Sequence, residues 1–266
     1  MNMFRLAILF LLLGIFPAND LRADLVDFVN GVWDHSAAGG SSANTGWDSS
    51  FSTGSTTVNG ITVTLQSLTF GSATPSNRNL EFSPIGASTG LFFGNDGTTD
   101  LNSGSLTNYQ EWRFTFSAPV ENLDWAIFDI DSRSGGASVW RDALAGETWA
   151  NSVGAIGDGV SVDWDLAGSE LTTRSVFELD HISRNTELFG LDNVNTDDLE
   201  GRAGLSTNGS FSVFSLYVFN DLDSVGNHNV VTEGTFSFNA STAVPEPASL
   251  MFTACLIAGT LLRRKR

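Results

Sequence analysis

The chain has little sulfur and almost no lysine. Its single cysteine is Cys255 and its only lysine is Lys265, both close to the C-terminus. The body of the protein before them therefore has no disulfide, no thiol nucleophile and no cysteine-ligated metal. Its stability has to come from a hydrophobic core, and a body of about 220 residues is long enough to build one.

Positive charge is scarce as well. Residues 24–243 carry 28 carboxylates but only seven arginines and no lysine, a net charge of −21. Such a surface repels nucleic acid and anionic lipid, so we expect neither as a partner of the body. Divalent cations prefer carboxylate and carbonyl oxygens, although the need for solubility alone accounts for most acidic side chains.

Motifs of the common enzyme classes are missing. The three histidines, His35, His181 and His228, are too scattered to predict a metal cluster. No nucleophile elbow, zinc-protease helix or phosphate-binding loop is present. We therefore predict a protein that is not an enzyme.

Strand patterns fill the region between the termini. The runs 61–70 and 110–116 alternate apolar and polar residues, which predicts strands with one solvent-facing side that carries Glu111 and Arg113 in the second run. The run 210–220 is apolar on both sides, which predicts a central strand covered on both faces.

These runs recur at intervals that favour an antiparallel β-sandwich, and we predict one such domain over residues 24–243. Pro119 is expected to end a strand, and the Gly/Ser/Asn-rich segment 36–57 is expected to be a long loop. Further strands are predicted to begin at Asn122, Ala137, Val160, Thr173 and Gly234.

Two aspartates end the strand that begins at Asn122. Asp129 and Asp131 would share one face of that strand, where their charges repel unless a positive group lies between them. A Ca²⁺ ion held with carbonyl groups of the following turn is one solution. The alternatives are an ion pair with Arg133 or another arginine, and simple solvation by water. Asp221 and Asp223 repeat the pattern after another strand.

A second carboxylate pair resembles a catalytic motif. Glu178 and Asp180 lie in FELDHIS, which is similar to the E-x-D-x-x-E strand of laminarinase-type glycoside hydrolases, jelly rolls that use paired carboxylates. Ser183 stands where that pattern has its second glutamate, so the general acid is missing. The remaining resemblance, the pair Glu178 and Asp180, makes a polysaccharide-acting hydrolase the alternative hypothesis.

Seven tryptophans offer aromatic surface. Trp47, Trp140 and Trp164 adjoin aspartate or arginine, a pairing suited to stacking on a sugar ring while the neighbours bond its hydroxyls. Aromatic side chains also dominate sandwich cores, and we expect a core role for most of them.

The N-terminus has the pattern of a secretory signal. An 11-residue apolar run, 6–16, follows Arg5 and ends before Pro17. Its length matches the apolar region of about 7–15 residues in signal peptides. We predict a signal peptide over residues 1–23 with cleavage after Ala23.

The C-terminus combines a proline motif, an apolar helix and a basic end. The uncharged segment 248–262 would form a helix about 22 Å long, short of the hydrocarbon core of about 30 Å. The basic end would stop transfer and stay cytoplasmic. The motif residues are Val244, Pro245, Glu246 and Pro247, and the basic residues are Arg263, Arg264, Lys265 and Arg266.

This order of features resembles the PEP-CTERM sorting signal of Gram-negative bacteria. The resemblance implies that the membrane protease exosortase recognises segment 244–266 in an inner-membrane intermediate and removes it. It also implies delivery of the body to the cell surface or an extracellular polysaccharide matrix. Segment 116–131 is similar to strands in lectin-like or jelly-roll bodies, which implies that type of sandwich.

The sequence thus predicts an exported, non-enzymatic surface or matrix protein. Its expected role is structural or exopolysaccharide-interacting, with Ca²⁺ as the candidate cofactor and exosortase and exopolysaccharide as partners.

Overall fold

The protein is described by a computed structural model. It describes residues 23–48, 50–73, 81–85, 88–95, 98–99, 105–133, 140–151, 159–167, 170–174, 187–191, 199–221 and 228–241. These residues contain eighteen strands, two short 3₁₀-helices and no α-helix. Nearly all strand pairs are antiparallel, so the predicted all-β class is confirmed.

The strands are numbered in chain order. The first nine are β1 (Asp24–Asp27), β2 (Val32–Trp33), β3 (Asn44–Thr45), β4 (Thr53–Val58), β5 (Ile61–Phe70), β6 (Glu81–Ile85), β7 (Ser88–Asn95), β8 (Thr98–Thr99) and β9 (Tyr109–Phe128). The rest are β10 (Ser132–Arg133), β11 (Trp140–Trp149), β12 (Val162–Leu166), β13 (Leu171–Arg174), β14 (Glu187–Gly190), β15 (Ala203–Thr207), β16 (Phe211–Asp221), β17 (His228–Thr232) and β18 (Thr235–Ala240). The 3₁₀-helices are η1 (Ser36–Ala38) and η2 (Leu199–Gly201).

The twenty-residue strand β9 belongs to two layers. Its first half pairs with β5 and β16, and its second half pairs with β15, β17 and β18. The first layer thus runs β13-β14-β11-β16-β9-β5-β4, and the second runs β12-β15-β9-β18-β1. Pro119 does not end the strand as predicted. It lies exposed where the β9–β16 register shifts, a position that tolerates a missing N–H.

Aromatic side chains fill the space between the layers. The Phe114 ring from the first layer contacts Trp125 and Phe236 from the second, with centroid distances of 5.6 and 5.3 Å. Burying such rings is the main source of stability in a fold without disulfides. Strand β16 is covered on both faces, as its apolar pattern predicts.

The segment predicted as a loop holds ordered structure. Residues 36–57 include η1, β3 and most of β4, and a two-residue turn at Asn59 and Gly60, both with positive φ, leads into β5. The His35 ring is fully buried, with Nδ1 2.9 Å from the Thr53 carbonyl oxygen and Nε2 accepting the N–H of Asp48 at 3.2 Å. This histidine is a structural residue of the core.

Candidate functional site

The two aspartates predicted to bind Ca²⁺ lie just beyond a strand. Strand β9 ends at Phe128, and Asp129 has a φ of 59°. A left-handed residue breaks the two-residue alternation of a strand, so the prediction that both carboxylates share one strand face is wrong. Asp131 is buried, with 2 % of its surface exposed, whereas Asp129 is half-buried.

Asp131 joins a cluster at one end of the first layer, which we name the acidic sheet end (Asp131, Arg141, Asp142, Asn220 and Asp221). The Asp142 N–H donates to the Asp131 carbonyl at 2.9 Å, and the Asp131 N–H donates to the Asp142 carboxylate at 3.3 Å. Asn220 pairs with Asp142, and Arg141 binds the Asp221 carboxylate at 3.0 Å. The structure thus brings Asp131 and Asp221 to the same region, with Asp142 as a residue that sequence reasoning missed.

Close packing holds this region in place. A Cβ at Gly190 would lie 2.3–2.5 Å from backbone atoms of Asp131, so no larger residue fits there without moving the backbone. Within the described ranges, no three histidine, aspartate or glutamate side chains come together as a metal site. The turn 134–139 and Asp223 lie outside those ranges. A Ca²⁺ site at Asp129 and Asp131 therefore stays a prediction.

A buried polar network lies on the face of the first layer that points away from the core. The Arg113 guanidinium donates to both oxygens of Glu111, at 2.7 and 2.8 Å. The Ser215 hydroxyl donates to the same carboxylate at 2.6 Å, and the Tyr217 hydroxyl donates to Glu147 at 2.7 Å. Glu111 and Glu147 are each only 2 % exposed.

The position of Glu111 corrects the sequence prediction, which placed it on a solvent-facing side. Strand β16 lies directly beside it and supplies Ser215 and Tyr217, so a polar pattern in β9 alone could not reveal its burial. Buried carboxylates need charged and hydrogen-bonding partners, and Glu111 has both. Glu111 and Arg113 are two residues apart in a strand and so lie on the same face. This spacing is the one sequence feature that indicates an ion pair between them.

Burial and the neighbouring Glu147 carboxylate raise the pKa of the Tyr217 hydroxyl far above its ordinary value of about 10. The protonated Tyr217 hydroxyl therefore contributes its full stabilisation below about pH 10. This stabilisation is lost as the pH rises further, because tyrosine in the unfolded chain releases its proton at a lower pH than Tyr217 in the folded protein. In a Tyr109→Phe variant, Tyr217 is the only tyrosine, and we expect tyrosinate absorbance at about pH 11 to develop only when denaturant is added. Ionisation of the folded variant with a midpoint near the ordinary value would contradict this.

An open groove of about 440 Å³ crosses the outer face of the second layer, and we name it the outer groove. Asp124 and Asp165 line it with exposed carboxylates, and Gly204 forms a flat part of its floor. Strands β1, β18, β9, β15 and β12 lie side by side beneath this face. At about 4.8 Å per strand the face is about 19 Å across, enough for a short stretch of an extended polymer.

One cation lines the outer groove. The Arg202 guanidinium lies 5.2 Å from the Phe128 ring centroid and 3.9 Å from the Glu233 carboxylate. Both members of this ion pair are well exposed, so water screens it and the pair adds little stability. The groove therefore offers carboxylates, hydroxyls and one cation to a polar ligand.

The tryptophans proposed as sugar platforms are not all at the surface. Trp47 is buried, and Trp164 is half-buried and packed against the core. The Trp140 side chain lies outside the described residues. The expected core role thus holds for Trp47, and an exposed stacking ring is not found at Trp164.

The remaining predicted residues also lie outside the described ranges. They are the signal peptide up to residue 22, the FELDHIS pair Glu178 and Asp180, and the sorting signal 244–266. Among the described residues no helix is long and apolar enough to cross a membrane.

Protein-family models give no match to this chain, and neither a curated protein nor a solved structure matches it.

Proposed function

We propose that this chain is an exported, non-enzymatic surface or matrix protein whose β-sandwich contacts exopolysaccharide. The observation that supports binding is the outer groove, an open, strand-crossing surface of carboxylates and hydroxyls around Gly204. Such groups hydrogen-bond to sugar hydroxyls, and an open groove accepts the middle of a polymer as well as its end. The finer assignment of the sandwich as jelly-roll or lectin-like belongs to the same proposal.

The export part of the proposal rests on the two ends of the sequence. The signal peptide 1–23 directs the chain across the inner membrane of a Gram-negative cell, and the PEP-CTERM-like segment 244–266 presents it to exosortase. After processing, the body resides at the cell surface or in the extracellular matrix. Intact-mass measurement of the surface protein is expected to show loss of the segment after Pro247, whereas an intact Arg266 would contradict processing.

The binding part is tested on a glycan array, in Ca²⁺ and in EDTA. We expect the paired change Asp124→Asn and Asp165→Asn to weaken glycan binding by about tenfold, because each asparagine loses a charged acceptor. Asp163→Asn is the matched control. It lies on the same strand as Asp165, accepts a hydrogen bond from Asn208 at 3.1 Å and does not line the groove.

Comparing binding in Ca²⁺ with binding in EDTA distinguishes a contribution of the metal from the contribution of the outer groove. If Ca²⁺ assists binding through Asp129 and Asp131, EDTA weakens the wild-type protein and the Asp163→Asn control equally. Binding that is equal in both buffers leaves the groove proposal standing and removes Ca²⁺ from it. No binding of any glycan in either buffer contradicts the binding proposal.

A polysaccharide-acting hydrolase is the second candidate. Its support is the pair Glu178 and Asp180 in FELDHIS, since glycosidases use two carboxylates on either side of the scissile bond. Release of reducing sugar that Glu178→Gln abolishes, with the fold intact, would favour this second candidate over the first.

A further inference from the structure

A second groove, of about 600 Å³, lies between strands β1 and β4, and we name it the edge groove. Its walls include Leu25 and Asp27 from β1, Thr57 from β4, and Val32 and Asp34 from the β2 region. Within the described residues β1 pairs only with β18, and β4 pairs only with β5 apart from one bridge between Ser55 and Asp34. The groove therefore lies between two strand edges.

The backbone of Leu25 faces this groove. The Phe28 N–H donates to Gly234 beside β18, whereas the Asp27 carbonyl accepts from Gly31 and from the Trp33 indole on the opposite side. Backbone groups of residues two apart in a strand point the same way, so the N–H and C=O of Leu25 point away from β18, as those of Asp27 do.

The backbone of Thr57 faces the groove from the other wall. Ser55 exchanges both of its backbone hydrogen bonds with Asp34, at 2.7 and 2.9 Å, on the side away from β5. By the same alternation the N–H and C=O of Thr57 point away from β5. The two walls thus each present a donor and an acceptor, the arrangement that an added extended peptide uses.

The side chains around the groove set the chemistry of its occupant. Asp27 and Asp34 contribute carboxylates, and no lysine or arginine is among the lining residues, all of which are described. The Ser36 hydroxyl and N–H hold the pKa of Asp34 below its ordinary value, so Asp34 is charged at neutral pH. Leu25 and Val32 are 51 % and 62 % exposed and give the rim an apolar surface.

We propose that the edge groove binds a short, cationic peptide segment in extended conformation. Its backbone exchanges hydrogen bonds with Leu25 and Thr57, its basic side chains face Asp27 and Asp34, and an apolar side chain covers Val32. Ser55 is already bonded to Asp34, so the open part of this wall runs from Thr56 to Asn59, spans about 10 Å and fits about three residues of the segment.

A second copy of this chain is a poorer occupant. Antiparallel pairing of β1 with its own copy would place Asp24 of one molecule close to Asp27 of the other, and like charges on neighbouring strands repel. The Asn59 side chain also hydrogen-bonds to Asp24 at one end of the groove. Because a second copy would bring aspartate to aspartate, an occupant with positive charge fits the groove better.

The probe is a labelled, end-blocked octapeptide of alternating lysine and valine, followed by fluorescence anisotropy at physiological ionic strength. We expect Thr57→Pro to weaken binding by about tenfold, because it removes the outward N–H while keeping the ladder to β5. Thr57→Val is the matched control, since it keeps the N–H and loses only the hydroxyl bonded to Thr62. Its affinity is expected to stay within about twofold of the wild type.

A second variant keeps the test valid if Thr57→Pro fails to fold. The paired change Asp27→Asn and Asp34→Asn keeps the oxygens that accept backbone N–H groups at 2.8 Å and removes the charge, and it too should weaken binding by about tenfold. A probe N-methylated at alternate residues has the same charge and should not bind.

Several results would overturn the proposal. Equal binding of the N-methylated probe means that overall negative charge alone attracts the peptide. If a glutamate–valine octapeptide binds as tightly as the lysine–valine probe, Asp27 and Asp34 do not select the occupant. If the lysine–valine probe does not bind even at millimolar concentration, the edge groove is not a peptide site. A dimer that Thr57→Pro dissociates identifies a second copy as the occupant.

Discussion

Glu111→Ala is expected to lower the free energy of unfolding by about 3 kcal/mol, the low end of the range for removing one partner of a buried ion pair, because Arg113 is itself 22 % exposed. The change leaves the Arg113 guanidinium without its two-point partner and the Ser215 hydroxyl without its acceptor. Ser215 is fully buried, so water cannot replace the lost bond there. Urea unfolding followed by tryptophan fluorescence measures the loss.

Glu233→Ala is the control for Glu111→Ala. Glu233 also pairs with an arginine, Arg202, but at 3.9 Å and with both side chains well exposed. Its loss is expected to cost less than about 1 kcal/mol. Equal effects of the two changes would mean that burial does not determine the strength of the Glu111 pair.

Phe114→Ala is expected to lower the free energy of unfolding by about 4 kcal/mol and the melting temperature by about 8–16 °C. The Phe114 ring is fully buried and contacts rings from both layers, among them Trp125, Phe214 and Phe236. Removing it leaves a cavity bordered by rings from β9, β16 and β18. Calorimetry gives the melting temperature directly.

Phe70→Ala serves as the comparison for Phe114→Ala. The Phe70 ring stacks on Tyr109 with centroids 4.6 Å apart at the end of β5, where it is only partly buried. Its removal should cost about 1 kcal/mol, the value of an exposed aromatic pair. A Phe114→Ala effect of the same size would show that the core repacks around the lost ring.

Local patterns in the sequence predicted those strands whose burial follows from their own apolar and polar residues. The alternation in 61–70 predicts β5 with the bounds observed, and the two-sided apolar run 210–220 predicts the covered strand β16. Both patterns depend on which side of a single strand meets the core, and this information is local.

Features that depend on several strands could not be predicted in this way. Glu111 is buried because β16 brings Ser215 and Tyr217 to it, and these residues are about a hundred positions away in the chain. Asp129 ends the strand because its φ is positive. An aspartate tolerates this conformation, but nothing in the neighbouring sequence indicates it. The two grooves follow from the order of strands in the layers, which no single segment encodes.

The continuity of β9 couples the two layers of the sandwich. Residues from β5, near the start of the body, and from β18, at its end, pair with this one strand, as Val63 does with Phe116 and Ala240 does with Val120. The first layer has no complete hydrogen-bonded ladder until β16 has been made, and the second has none until β18 has been made. Pairings this distant in sequence slow folding. The whole sandwich can therefore form only when the chain has been made almost to its last strand, so the order of its strands postpones folding to the end of synthesis.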